Sequence, residues 1–183
     1  MDKSEWVAKF IAIDNSTGIN IDTYTIELDF MVEQDAAGVV FGGKDGGNFL
    51  MWQINTLDYA KDQKVYFRPH KWSNGAVSKL AEKDISHVIP WEERFSLHHL
   101  KIHVTSSNEI ITYIDGVEID RRTDSMASFG QFGFRHSSSS NENEGAYYDN
   151  IVIYDNTNGK NEILFSESFD SPVNPFATGQ VIN

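Results

Sequence analysis

The chain has 183 residues, of which 40% are hydrophobic and 13% aromatic, so it is long enough to bury a sizeable core within one domain. It carries 27 acidic and 15 basic residues, a net charge of −12, which argues against a nucleic-acid or an anionic-membrane partner because both need a concentrated basic face. There is no cysteine, which excludes disulfides, zinc–thiolate sites and cysteine nucleophiles.

The predicted elements are almost all β-strands. Residues 24–33 alternate apolar and polar side chains, the period-two pattern of a strand with one buried face. Asp115-Gly116 separates two such runs and predicts a type I′ hairpin, whereas residues 77–87 alone favour a short helix. Similar runs predict further strands at 38–42, 48–54, 63–68, 98–104, 109–114, 117–121, 129–135, 146–154 and 162–168.

About ten strands with almost no helix predict an all-β fold, an antiparallel β-sandwich of the jelly-roll type. The length favours a single domain over residues 1–183. Within it, residues 170–183 are expected to form an extended tail or a linker to another domain.

The segment 38–72 carries the side chains best suited to holding a sugar. Aromatic faces stack on the apolar face of a pyranose, while carboxylates, amides and guanidinium groups bind its hydroxyls. Trp52 also has the parity of a core residue, and Pro69 is expected to end its strand and leave Trp72 exposed at a rim. Turn residues of the Asp and Asn type can simply shape a corner. The candidate carbohydrate-binding residues are Asp45, Asn48, Trp52, Arg68, His70 and Trp72.

A second polar group lies where a loop enters the strand YYDNIVIY. Glu144, Asp149 and Asn150 offer the carboxylate and amide oxygens that calcium prefers, and they predict a structural calcium site. The alternative is that the acidic residues only keep the surface soluble.

Catalysis is not expected. Asp29 and Glu33 stand roughly 13 Å apart on one strand, and Glu27 and Glu33 roughly 20 Å. Both separations exceed the carboxyl spacings of glycosidases, which are about 5–5.5 Å or about 6.5–9.5 Å. His99 and His103 share one strand face at roughly 13 Å, too far apart for one zinc ion, and are expected to point outward.

Several segments resemble concanavalin A-like lectin/glucanase jelly rolls: GVVFGGKDGGNFLMWQI, YFRPHKW, ITYIDG and FGQFGFRHSSSSNENEGAYYDNIVIYD. More narrowly, they resemble the accessory domain of bacterial α-L-rhamnosidases of glycoside hydrolase family 78, which is similar to carbohydrate-binding module family 67. The resemblance implies a noncatalytic module that binds L-rhamnose or a related plant-polysaccharide sugar with the help of calcium. It makes Asp45 and Asn48 calcium or sugar ligands.

The same resemblance implies a catalytic domain in the same polypeptide and a periplasmic, cell-surface or secreted location. Two alternatives stay open. The chain could be a structural sandwich domain without a ligand, or a glycoside hydrolase in its own right.

Overall fold

A computed structural model describes residues 5–11, 21–45, 47–57, 60–128, 130–138, 144–170 and 179–182. In these ranges the chain forms strands and four one-turn 3-10 helices, at Ala60–Asp62, Trp91–Glu93, Ser125–Ala127 and Thr157–Gly159. None of the described helices has the length and apolar character to cross a membrane. The strands are β1 (Glu5–Ile11), β2 (Tyr24–Gln34), β3 (Ala36–Asp45), β4 (Asn48–Asn55), β5 (Tyr66–Ser73), β6 (Ala76–Lys79), β7 (Lys83–Asp84), β8 (His98–Val104), β9 (Glu109–Ile114), β10 (Val117–Thr123), β11 (Gln131–Ser138), β12 (Gly145–Asp155), β13 (Glu162–Glu167) and β14 (Gly179–Ile182).

The described strands form two antiparallel sheets, which confirms the predicted β-sandwich jelly roll. The larger sheet has the order β14-β1-β11-β3-β4-β5-β6, with β7 paired to β5. The smaller sheet has the order β10-β9-β8-β2-β12-β13. Part of the segment predicted as a tail thus lies in the larger sheet, since β14 pairs with β1, while residues 171–178 lie outside the described ranges.

The core lies between the sheets and follows the alternation read from the sequence. In β2 and β8 the apolar side chains of one face are buried in the core, and the buried polar residues of the two strands are Thr25 and His98. The outward residues of β8 include His99 and His103, as predicted. The hairpin prediction is also confirmed, because Asp115 and Gly116 have φ of 50° and 80°, the positive values that a type I′ turn requires.

The helix predicted at 77–87 is wrong, because β6 and β7 occupy that segment and pair with β5. Pro69 does not end its strand either, since β5 continues to Ser73. The carbonyl of Pro69 accepts from the backbone N–H of Leu80 at 2.9 Å, so the ring nitrogen points to the same side, at the gap between β6 and β7. Pro69 therefore removes no hydrogen bond from its pairing with β4.

Candidate functional site

The larger sheet places the residues predicted for sugar binding on two different faces. Trp52 is 2% exposed in the core, where its Nε1–H donates to the Thr112 hydroxyl at 2.9 Å. Arg68, His70 and Trp72 lie on the opposite, outer face, because they alternate with the core-facing positions of β5. In this conformation Trp52 is a core residue with no face open to a ligand.

Trp72 was expected at an exposed rim, and the structure corrects this. It is 5% exposed and stacks on Phe49 with ring centroids 4.7 Å apart, in a small apolar cluster with Val40 and Met51. Because β5 runs on past its proline, Trp72 lies inside a strand and is paired on both sides. It has no open face for a pyranose.

His70 is also buried on this face. Its Nδ1 lies 3.1 Å from the carbonyl of Arg68, and its ring is tilted against Trp72. Burial lowers the pKa of His70 to about 4, and the positive charges of Arg135, Arg68 and Lys79 act in the same direction. His70 is therefore neutral at pH 7.

A buried polar network completes the outer face of the larger sheet. Arg135 and Glu144 form an ion pair with both side chains 5% exposed, and Gln53 Nε2 donates to the same Glu144 oxygen at 2.6 Å. Gly38 makes room for it, since a Cβ there would lie 3.1 Å from Arg135 Cβ. These buried groups bind one another, so we interpret the network as part of what stabilises the fold.

The corner residues Asp45 and Asn48 are paired in register at the end of the β3–β4 hairpin. The Asn48 side chain accepts from the backbone N–H of Asn74 at 3.0 Å and so ties this corner to the β5–β6 turn. The side chain of Asp45 lies outside the described residues. For Asn48 the structure shows the turn-shaping role.

The predicted calcium ligands are not brought together. Glu144 belongs to the buried network of the larger sheet. Asn150 instead donates to Asp29 on the smaller sheet at 2.8 Å, and Asp149 accepts from the Asn150 backbone. Among the described residues, no group of three or more Asp, Glu, His or Cys side chains is arranged to hold a metal ion.

An open groove lies on the outer face of the smaller sheet, with a volume of about 770 Å³. Its floor consists of β2 and β8, whose outward residues face each other in register as Thr25–His103, Glu27–Lys101 and Asp29–His99. We call it the β2–β8 groove.

Charges on the groove floor are paired across the two strands. Lys101 Nζ lies 3.0 Å from Glu27, and His99 Nδ1 lies 2.8 Å from Asp29. Burial acts to raise the pKa of Asp29, but hydrogen bonds from Asn150 and His99 outweigh it, and the pKa lies below its ordinary value. Asp29 is therefore an ionised acceptor at pH 7 and a poor candidate for a general acid.

Two tyrosines stand on opposite sides of this floor. Tyr154 lies on β12 and Tyr113 on β9, three strand spacings apart, or about 14 Å. Among the described residues neither tyrosine hydroxyl has a hydrogen-bond partner, and both rings are partly exposed. The groove thus combines aromatic walls with donors and acceptors, at a width that exceeds one pyranose ring.

Sequence reasoning identified the outward direction of His99 and His103 but missed the groove. The available signal was complementary charge: Glu27 and Asp29 on one strand match Lys101 and His99 on another. What the sequence does not show is that β2 and β8, some seventy residues apart, are neighbours.

No protein-family model and no curated protein sequence matches the chain. Solved structures do match. The carbohydrate-binding module CBM66 from Bacillus subtilis is 18% identical, with a TM-score of 0.52 over 80% of this chain and 96% of that one. A tetrameric galectin from the ball sponge Cinachyrella sp. is 11% identical, with a TM-score of 0.56 over 80% and 99%. The binding domain of botulinum neurotoxin DC is 11% identical, with a TM-score of 0.51 over 79% of this chain and 34% of that one. At these identities the likeness shows the fold alone, a β-sandwich of the jelly-roll type.

Proposed function

We propose that this protein is a noncatalytic carbohydrate-binding domain that holds an oligosaccharide in the β2–β8 groove. The observation that carries the proposal is the groove itself: an open space of about 770 Å³ whose floor presents hydroxyl, imidazole, carboxylate and ammonium groups between two tyrosines. Sugar recognition needs both parts, because stacking holds the ring and hydrogen bonds select its hydroxyls.

The fold supports the same reading, since CBM66 and the sponge galectin share it. The finer parts of the proposal come from the sequence resemblance. They are a preference for L-rhamnose or a related plant sugar, calcium assistance, a secreted or cell-surface location, and a glycan-degrading catalytic domain in the same polypeptide. Such a domain benefits from weak binding because tethering raises the local concentration of its substrate.

The alternative of a glycoside hydrolase gains no support from the three acids that suggested it. Each has its own partner among the described residues: Glu27 with Lys101, Asp29 with His99, and Glu33 with the hydroxyl of Tyr147 at 3.0 Å. A glycosidase needs one protonated and one ionised carboxyl facing the same bond.

The test is calorimetric titration of the full chain with a panel of rhamnose-, galactose- and glucose-containing oligosaccharides, with and without calcium. For a ligand that binds, Tyr154→Ala should weaken binding about fivefold to tenfold, the value of one lost aromatic contact. Tyr147→Ala is the matched control, because Tyr147 lies on the same strand, is 55% exposed and lies outside the groove. The absence of binding heat with every oligosaccharide of the panel would overturn the proposal.

A further inference from the structure

We propose that the β2–β8 groove selects neutral saccharides and that His103 accepts one of their hydroxyls through Nε2, in a tautomer that Thr25 and Asn156 fix. This inference rests on the proposed function. It names the ligand class and the residue that determines specificity.

A chain of hydrogen bonds links the carbonyl of Lys160 through Asn156 and Thr25 to His103, and the carbonyl fixes which atom donates at each step. Asn156 lies 3.3 Å from the carbonyl of Lys160, which can only accept, so the nearer atom must be Nδ2. Asn156 Oδ1 then faces Thr25 and accepts its hydroxyl proton at 2.5 Å. A hydroxyl has one proton to donate, so Thr25 Oγ1 must accept at its other contact, 2.9 Å from His103 Nδ1. The proton of the neutral imidazole therefore lies on Nδ1.

Nε2 is then the acceptor of the ring. Among the described residues it has no hydrogen-bond partner, and His103 lines the groove. Burial lowers the pKa of His103 below its ordinary value, with Lys101 acting in the same direction and Glu109 opposing it. The imidazole is neutral at pH 7 and presents a lone pair to the groove. A sugar hydroxyl is the natural donor for it.

Apart from His103, the basic side chains that line the groove each lie beside a carboxylate. Lys101 is paired with Glu27 at 3.0 Å, and Lys160 lies 3.9 Å from the buried carboxylate of Asp155. His99 donates to the ionised Asp29. Within the part of the chain that the structure describes, each lining lysine has an acidic partner, so a carboxylate or sulfate on a sugar would have to compete with that partner. The net charge of −12 disfavours such ligands further.

Protonation of His103 should remove the lone pair of Nε2 and with it the hydrogen bond from the sugar hydroxyl. Below its pKa the ring carries protons on both nitrogens and can only donate, so saccharide binding should weaken as the pH falls through that value. The charged groups around this part of the groove are Lys101 on β8, Glu27 on β2, Glu109 on β9 and Lys160 in the loop after β12. Arg121 on β10 pairs with Glu109.

The first experiment tests the tautomer without any ligand. Long-range ¹H–¹⁵N correlation of the histidine rings at pH 7.5 should show His103 with a protonated Nδ1 and an unprotonated Nε2. Thr25→Val removes the acceptor of that proton, so the pattern should shift towards a protonated Nε2. Thr123→Val, at an exposed strand position on β10, should leave the spectrum of His103 unchanged.

The second experiment tests the ligand class by titration with neutral oligosaccharides and their uronic-acid or sulfated counterparts. We expect the neutral members to bind more tightly, and Thr25→Val to weaken their binding about fivefold, the value of one hydrogen bond. Equal or tighter binding of the anionic members would overturn the inference and leave the proposed function standing. So would a Thr25→Val variant that binds as well as the unmodified chain. No binding to any saccharide would overturn both.

Discussion

Breaking the buried ion pair between Arg135 and Glu144 tests whether the outer face of the larger sheet is structural. Both side chains are 5% exposed, and Gln53 shares the same Glu144 oxygen. Replacing one member, as Arg135→Met or Glu144→Leu, leaves the other charge buried and uncompensated, which costs about 3–5 kcal/mol. Glu144→Leu also removes the acceptor of Gln53, worth about 1 kcal/mol more. Losses of this size are a large part of the roughly 5–15 kcal/mol that holds a domain together.

The double variant distinguishes a pair from two independent residues. With both charges replaced by apolar side chains no buried charge remains, so the loss should be smaller than the sum of the two single losses. The assay is urea unfolding of the four proteins at pH 7, read by tryptophan fluorescence. Glu118→Leu is the control, because the Glu118–Arg121 pair is exposed and should contribute little. Additive losses below about 1 kcal/mol for each single variant would show that the ion pair does not stabilise the fold, and this face would again be a candidate ligand site.

Three further predictions concern stability. His70 has a pKa of about 4 in the folded protein and near 6.5 when unfolded, so the folded state binds fewer protons between these values. Stability should therefore fall as the pH is lowered from 6.5 to 4, by up to about 3 kcal/mol, and a His70→Gln variant should lack that loss in urea unfolding across pH. Trp52→Phe removes the donor to a Thr112 hydroxyl that is fully buried, and should cost about 2–3 kcal/mol without changing saccharide affinity. Gly42 and Gly116 both have positive φ, but a Cβ at Gly42 would lie 2.3 Å from a backbone carbonyl oxygen, whereas one at Gly116 meets nothing within 4 Å. Thermal unfolding should therefore show a much larger loss for Gly42→Ala than for Gly116→Ala, and equal losses would contradict this packing.

The fold could be predicted from the sequence because apolar and polar residues alternate along its strands, and this pattern is visible within a few residues. The outward and inward residues of β2 and β8 follow directly from period two, and the Asp115-Gly116 turn follows from the need for positive φ. The errors occur where pairing overrides local preference. Residues 77–87 have helix-forming side chains, yet β6 and β7 pair with β5 and complete the edge of the sheet, and Ile85 still reaches the core from this extended segment.

The candidate site was harder to predict, since it depends on which strands are neighbours. Arg68, His70 and Trp72 do share a face, yet the sequence does not reveal that His70 and Trp72 are buried on it. In the sequence the residues of the groove resemble an ordinary polar surface. Thr25 and His103 come into hydrogen-bond contact only because β2 pairs with β8.

The most direct test of saccharide binding in the β2–β8 groove is to locate the binding site on the folded protein by NMR. Uniformly ¹⁵N-labelled chain is titrated with whichever neutral oligosaccharide of the panel binds, and the shifted backbone and histidine-ring signals are assigned. We predict that the largest shifts lie on the outer face of the smaller sheet, at Thr25, Lys101, His103 and Tyr154, and that His70 does not move. Shifts centred on Arg68, His70 and Trp72, with the smaller sheet unchanged, would contradict it.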